Sequence, residues 1–458
     1  MAKKKQIELT IEEKLQNALV PKEEQPYKIP NNWCWVRLGN ITQIKGGKRI
    51  PKGTSLLKEN TGYKYIRVTD MKNGTVLNDD IHYISKDIYN KISNYTISKN
   101  DIYITCAGTI GRVGIIPVEF DGANLTENAD KIIIKHINKN LLVKVLSSYI
   151  VQKQIQEVIT TGCQPKLAIK KIEQLKIPLP PINEQQRIVE RIESLFVKLD
   201  RAKELIENTL AQFEQNKMAI LHKAFIGELT AKWRKENNID LSSWQEKTVD
   251  ELCTSLKYGT SKKSNLEGSV VVLRMGNLQN GEIDWSNLMY TDDKDDIEKY
   301  LLKKGDVLFN RTNSPELVGK TSIYRGEYPA IYAGYLIKLD YGKDIIGEYL
   351  NYMMNSTKAK HYCYTVKTDG VSQSNINAKK IGAFEIPVPT IEEQQEIVNI
   401  LDKLLAKYNK IKNLEQQLEK IELLKKAILA KAFRGELGTN NPDEESAENL
   451  LKEILAEK

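Results

Sequence analysis

Two stretches of this chain repeat one another. Ile177–Val189 reads IPLPPINEQQRIV and Ile386–Val398 reads IPVPTIEEQQEIV. KAFIGELT (Lys223–Thr230) follows the first copy and KAFRGELG (Lys431–Gly438) follows the second. In a long internal repeat each copy is one structural unit, and this unit is too large for a solenoid turn. The chain is therefore expected to fold as two similar halves, each a globular domain followed by a long helix. A pseudo-two-fold molecule of this kind suits a partner that itself presents two sites.

The globular parts repeat more loosely. YIRVTDMKNG (Tyr65–Gly74) matches VLRMGNLQNG (Val272–Gly281), and NDIYIT (Asn100–Thr105) matches GDVLFN (Gly305–Asn310). IKKIEQLKIPLP (Ile169–Pro180) matches NAKKIGAFEIPVP (Asn377–Pro389) with a small gap. Short β-like runs at Tyr65–Val68, Ile102–Thr105 and Lys131–Lys135 are bounded by Gly, Asn and Asp, and a helix is expected over Leu141–Ile159. Thr10-Ile-Glu-Glu13 has the form of a capping box, so a short helix should run to Leu19 before Pro21, Pro26 and Pro30 break it. One fold with two diverged surfaces is the simplest reading.

The segments after each globular part differ in kind. From Ile182 to Phe225 there is neither Pro nor Gly, and Ile192, Leu199, Ile206, Phe213 and Ile220 recur at heptad spacing. Ile188, Leu195 and Ala202 hold the companion position, and Gly227 is placed to end the helix. The second copy carries Ile397, Leu401, Leu404, Tyr408, Ile411, Leu414, Leu418, Ile421 and Ile428, with Gly435 as the stop. A helix of about 44 residues is roughly 66 Å long at about 1.5 Å per residue. That exceeds one domain, and the cheapest partner for each helix is the other, antiparallel. Val189, Phe196, Leu205 and Leu210 widen the stripe beyond a two-helix seam and could meet further helices. An acidic tail from Asn441 should end in a helix over Glu445–Ala456.

The fold class is thus α+β: two similar globular α/β domains joined by two long antiparallel coiled-coil helices. The expected boundaries are an N-terminal helical segment (1–26), a first domain (27–180), a first helical spacer (181–240), a second domain (241–389), a second spacer (390–437) and the tail (438–458).

Little catalytic chemistry is visible. A hydrophobic share of 41%, a charged share of 28% and a net charge of +8 fit a globular protein and permit nucleic-acid binding. Five scattered cysteines (Cys34, Cys106, Cys163, Cys253, Cys363) with no CxxC pair fit a reduced, cytoplasmic protein without zinc. No apolar stretch follows the opening Met-Ala-Lys-Lys-Lys, and no run suits a membrane span. SPELVGKT (Ser314–Thr321) lacks the first glycine of a phosphate loop. Asp292, Asp293, Asp295, Asp296 and Glu298 match no EF-hand spacing, and a solvated acidic loop is the simpler reading. No metal site and no catalytic residue is assigned.

The doubled EQQRIV/EQQEIV helix start and the doubled KAFxGEL helix end, set around two diverged domains, resemble the specificity (S) subunits of type I restriction-modification systems. The resemblance covers nearly the whole chain. It implies two target recognition domains, each reading one half of a bipartite double-stranded DNA site. It implies that the helices set the half-site spacing and bind two adenine methyltransferase (M) subunits. S-adenosylmethionine would then sit on the M subunits, and ATP and Mg on restriction (R) subunits; this chain would bind no cofactor and catalyse nothing alone. Two domains about one DNA turn apart, roughly 34 Å, could read one face of a duplex. The two terminal helices are expected to pack near the first domain. A coiled-coil protein-binding adaptor and a self-contained DNA-modifying enzyme are the alternatives.

Candidate DNA contacts follow from charge, paired donors and loop position. In the first domain they are Lys45, Lys48 and Arg49 beside glycines; Arg67, Thr69 and Asp70; Thr109 and Arg112; and Gln164 and Lys166. In the second they are Lys257, Tyr258, Lys262 and Lys263; Arg274 and Asn277; Asn310, Arg311, Thr312 and Asn313; and Ser372, Gln373 and Asn375. Any single lysine here is more readily a solvated surface charge than a DNA contact. Arg67 and Arg274 share one repeat position, which fits a structural salt bridge as well as base reading.

Overall fold

The computed structural model describes residues 10–159, 165–406 and 411–457. The chain divides into two compact units, Met1–Leu205 with Gln416–Lys458, and Ile206–Glu415. Both divisions fall inside the helical spacers, so each unit owns part of each spacer.

The globular parts share one plan. In the first, Cys34–Arg37 pairs antiparallel with Lys176–Leu179, tying the start of the domain to its end. In the second, Gln245–Thr248 pairs with Glu385–Val388 in the same way. A four-stranded antiparallel sheet follows in each. Its order is Thr42–Gly46, Ala129–Ile134, Ile102–Thr105, Val113–Ile115 in the first unit, and Cys253–Tyr258, Leu336–Tyr341, Val307–Asn310, Thr321–Ile323 in the second. A smaller sheet contains one parallel pair, Tyr65 beside Asn124 and Val272 beside Ile331. The central strands are buried on both faces, which is why Ile102–Thr105 and Val307–Asn310 are apolar without alternation.

Gly47 and Gly259 mark the same turn in the two sheets. A Cβ on Gly47 would lie 2.0 Å from the Thr126 carbonyl oxygen, and one on Gly259 2.1 Å from that of Tyr332. These glycines let two backbone segments of the protein touch; their close approach is to the chain itself.

Thr10 caps the helix Ile11–Ala18 through a full capping box, as the sequence indicates. The expected helix over Leu141–Ile159 is instead two, Lys139–Leu146 and Tyr149–Val158. Ser148 breaks it: its backbone is extended and its hydroxyl donates to the Val145 carbonyl. The tail helix spans Ala447–Ala456 and starts later than expected, because Ser446 serves as its N-cap.

The first long helix runs Ile182–Phe225, and the second spacer contributes Ile391–Ala406 and Ile411–Ala432. Within the first unit Lys425 Nζ lies 2.5 Å from Asp200 Oδ1, and Lys203 Nζ lies 3.5 Å from Glu422 Oε1. Numbers rise along one helix as they fall along the other, so the pair is antiparallel. Ile188, Val189 and Ile192 share a core with Ala432 and Phe433 in the first unit. Leu221, Ala224 and Phe225 share one with Ile397, Val398 and Leu401 in the second. Each of the larger of these side chains contributes about 1.5–3 kcal/mol by leaving water. The KAF ending of each spacer is thus a core plug.

Away from those plugs the stripe is shallower. Leu195, Leu199 and Leu418 in the first unit are half-buried, and so are Ile206, Phe213, Ile220 and Leu404 in the second; Ile421 is buried. Tyr408 lies outside the described residues, and Ile411 opens its helix. Val189 does not widen the stripe outward, because it is spent in the first unit's core.

The repeated Glu-Gln-Gln has a structural cause. Glu184, Gln185, Glu393 and Gln394 are fully buried. Gln185 accepts from the Asn138 N–H and donates to the Pro180 carbonyl; Gln394 accepts from the Ile346 N–H and donates to the carbonyls of Pro389 and Asp344. Glu184 accepts from the Trp33 indole at 2.6 Å, and Glu393 from the Trp244 indole at 2.9 Å. The remaining partners of Glu393, Thr230 and Arg234, follow the first long helix. Those of Glu184, Thr439 and Asn440, follow the second.

The chain's tail therefore completes the first unit as the segment after Gly227 completes the second. Lys452 pairs with Glu12 and the Ala447 N–H donates to the Asn32 carbonyl, so both terminal helices pack on the first unit as expected.

Candidate nucleic-acid interface

The candidate residues lie partly in strands, as Lys45, Lys257, Tyr258, Asn310, Thr312, Asn313 and Asn375 do, and partly on the segments between them. In the first unit Arg49, Tyr65, Arg67, Thr69 and Glu127 line an open depression of about 480 Å³. Outside that lining, Arg112 donates from Nη1 to the Met71 carbonyl at 3.4 Å, and Lys166 is bridged through its backbone to Ala107. Lys45, Lys48, Thr69, Thr109, Arg112 and Lys166 are exposed. Lys48 lies over the Tyr95 ring at 5.5 Å. Gln164 lies outside the described residues.

Two arginines of that face are already neutralised. Arg49 pairs with Glu127. Arg67 pairs with Asp70 at 2.7 Å and Asp80 at 3.1 Å, and its guanidinium holds the Asp80 carboxyl below the usual range. Asp70 is itself buried, with both oxygens bonded to Arg67, and that corrects the expectation that it reaches a groove. Burial pushes the Asp130 carboxyl up to about 6, against the opposing pull of the Cys106 thiol and Lys166; one of its oxygens has no partner.

In the second unit the strands Thr312–Asn313 and Ser374–Asn375 pair antiparallel, which brings two candidate loops together. The Arg311 guanidinium lies 4.8 Å over the Tyr258 ring, and its Nη1 donates to the Gly334 carbonyl. Asn313 and Asn375 are half-buried, and Ser372 and Gln373 are exposed beside an exposed Val371. Lys257 pairs with Asp340, and Lys262 with Asp293 and Asp296; Lys263 is exposed.

Asn277, Asn310 and Thr312 are buried and bonded within the fold, which corrects their assignment as groove contacts. Asn277 donates to the carbonyls of Asp284 and Asn287, Asn310 accepts from the Thr312 N–H, and Thr312 accepts from Asn375. Sequence reasoning missed the carboxylates Asp80, Glu127 and Asp340, and read Asp293 and Asp296 as part of a solvated acidic loop, whereas Asp293 caps the helix Lys294–Tyr300 and Asp296 is buried against the Thr260 hydroxyl. Their signal was long-range pairing, which a single linear motif does not show.

The phosphate-loop look-alike Ser314–Thr321 is no cradle: Lys320 turns to the Gln279 side chain at 2.8 Å. Among the described residues, no cluster of three or more His, Cys, Asp or Glu side chains is arranged to hold a metal ion. No described helix is long and apolar enough to cross a membrane.

A family model, the type I restriction modification DNA specificity domain, matches residues 30–214 and again 242–423. The chain belongs to that family. The type I restriction enzyme EcoKI specificity subunit of Escherichia coli K12 is 26% identical over 94% of this chain and 96% of its own length. The StySPI specificity subunit of Salmonella potsdam is also 26% identical, over 94% and 96%. A chain solved for complex assembly and conformational transition of the type I R-M system shares the fold, with TM-score 0.66, 19% identity and coverage of 90% of this chain and 100% of that one. The HsdS subunit from Thermoanaerobacter tengcongensis superposes with TM-score 0.51 at 20% identity, over 90% and 99%. The two matched segments are the two halves of the internal repeat. The protein is therefore a type I specificity subunit, a recognition component and not the catalytic one.

Proposed function

We propose that each globular part reads one half of an asymmetric, bipartite double-stranded DNA site. The observation that carries this is one strand plan used twice with different residues on the equivalent segments. Lys48, Thr109, Arg112 and Lys166 are exposed in the first unit; in the second, Gln373 is exposed and Arg311, Asn313 and Asn375 are half-buried. Amides can pair with adenine edges, and arginines with guanine edges or phosphates. Because the two sets differ, the half-sites differ.

The helical spacers fix the half-site separation and dock two adenine methyltransferase subunits. Val197 and Leu205 on the first long helix are 67% and 59% exposed, and Leu423 and Leu424 on the second spacer are 63% and 50% exposed. All four belong to the first unit, and such apolar residues suit a helical partner. S-adenosylmethionine belongs to those partners, and ATP and Mg to restriction subunits that join them. The adaptor alternative is separated by salt: DNA affinity that rests on phosphate contacts falls steeply as salt rises, whereas protein docking through apolar residues does not. Titrating the complex with a duplex across a salt series tests this. A flat response overturns the DNA-reading function.

A further inference from the structure

The two units differ at one charge site. In the first, the Arg67 main-chain N–H donates to Asp70, three residues on, at 2.8 Å, and Nη2 reaches both the carbonyl and the side chain of Asp80, thirteen residues on. In the second, the Arg274 N–H donates to Asn277, three residues on, at 2.9 Å, and Nη2 reaches the carbonyl and the side chain of Asn287, thirteen residues on. The main-chain bond and the Nη2 contacts thirteen residues on are retained while two carboxylates have become two amides; the bonds from the Arg67 guanidinium to Asp70 have no counterpart at Asn277, whose amide donates to the carbonyls of Asp284 and Asn287. A third acid is lost as well. Thr126 N–H donates to the Ile66 carbonyl and Ala333 N–H to that of Leu273, so Glu127, which pairs with Arg49, corresponds to Gly334.

Arg67 is thus over-neutralised, and Arg274 has no ion pair among the described residues. Arg274 is half-buried, and its Nε is buried without a partner. A partly desolvated guanidinium without a counter-charge is costly until an anion completes it. Asn287 beside it is exposed, so the site opens to solvent.

We infer that Arg274 is a DNA phosphate-binding residue of the second unit, and that Arg67, at the same repeat position, is purely structural. This rests on the DNA-reading function proposed above. Phosphate is favoured over a guanine edge because bidentate base reading needs two outward donors. Nη2 is committed to Asn287 and Nε is enclosed, which leaves Nη1 for a single contact.

The test is Asn287→Asp, an isosteric change that restores the first unit's carboxylate. The full chain with its methyltransferase subunits is titrated by fluorescence anisotropy against a target duplex and an unrelated duplex, across a KCl series. We expect on the order of a tenfold loss on both duplexes and a salt slope lower by about one. Thermal stability should hold or rise, since the new carboxylate pairs with Arg274. Asp80→Asn, which leaves Asp70 on Arg67, should leave the slope unchanged. Unaltered affinity and slope in Asn287→Asp would overturn the inference. So would a loss confined to the target duplex with the slope intact, because that marks a base contact. Failure of the wild-type complex to bind either duplex strikes instead at the DNA-reading function.

Discussion

Arg234→Leu should destabilise the second unit selectively. The Glu393 side chain is fully buried and the Arg234 side chain is 9% exposed, with Nη1 2.7 Å from Glu393 Oε1. Arg234 also donates to the Gly227 carbonyl at 2.7 Å and to the Thr230 hydroxyl at 3.0 Å. Without it the carboxylate keeps the Thr230 hydroxyl and the Trp244 indole, but has no counter-charge. Removing one member of a buried ion pair costs about 3–5 kcal/mol. For a unit of about 200 residues each kcal/mol moves the midpoint by roughly 2–4 °C, so a fall of roughly 6–20 °C follows. Scanning calorimetry reads the midpoint, and hydrogen exchange assigns the transition to the second unit. Adding Glu393→Gln should recover part of the loss, since no charge is then stranded. A loss below about 1 kcal/mol, or a double variant weaker than the single, would refute the reasoning.

Other outcomes follow from the same structure. Asp130 is raised from 3.8 to about 6 by burial, so it favours folding when protonated; that contribution is complete below pH 3.8 and is lost as pH rises through about 6. Asp130→Asn should therefore stabilise the first unit at neutral pH, by on the order of 2–3 kcal/mol, and flatten its stability between pH 4 and 6, as urea titrations at several pH values will show. Leu451→Ala, in the fully buried core of the tail helix, should cost about 2–5 kcal/mol in the first unit, because the tail completes that core. Arg311→Ala and Asn313→Ala should each weaken binding to the target duplex without unfolding the protein; lost stability with intact binding would remove them from the interface.

The architecture was legible because its signals were local and doubled. Heptad spacing announced the helices, and the Glu-Gln-Gln and Lys-Ala-Phe echoes marked where each one begins and ends. The echoes also concealed their cause. Glu184 and Glu393 are conspicuous in the sequence as polar surface residues would be, yet both are buried against tryptophans far away in sequence. The interface was legible only as a set of loops. Charge and loop position selected Arg67 and Arg274 alike, and composition could not separate them. What separates them lies three and thirteen residues downstream, in Asp70 against Asn277 and Asp80 against Asn287, and only the fold shows that both positions face the arginine. Asn277 and Asn310 were misassigned for a related reason: asparagines near strand ends serve as backbone caps as readily as groove contacts.

Two diverged domains that read two different half-sites should leave their signature in the DNA of the cell. The direct measurement is to co-express the chain with its adenine methyltransferase in cells free of other modification and to map methylated adenines genome-wide. One asymmetric motif is expected, two defined blocks of bases separated by a fixed unspecified gap. Methylation at a single continuous or palindromic motif, or no motif from a soluble and associated complex, would contradict the reading of two half-sites.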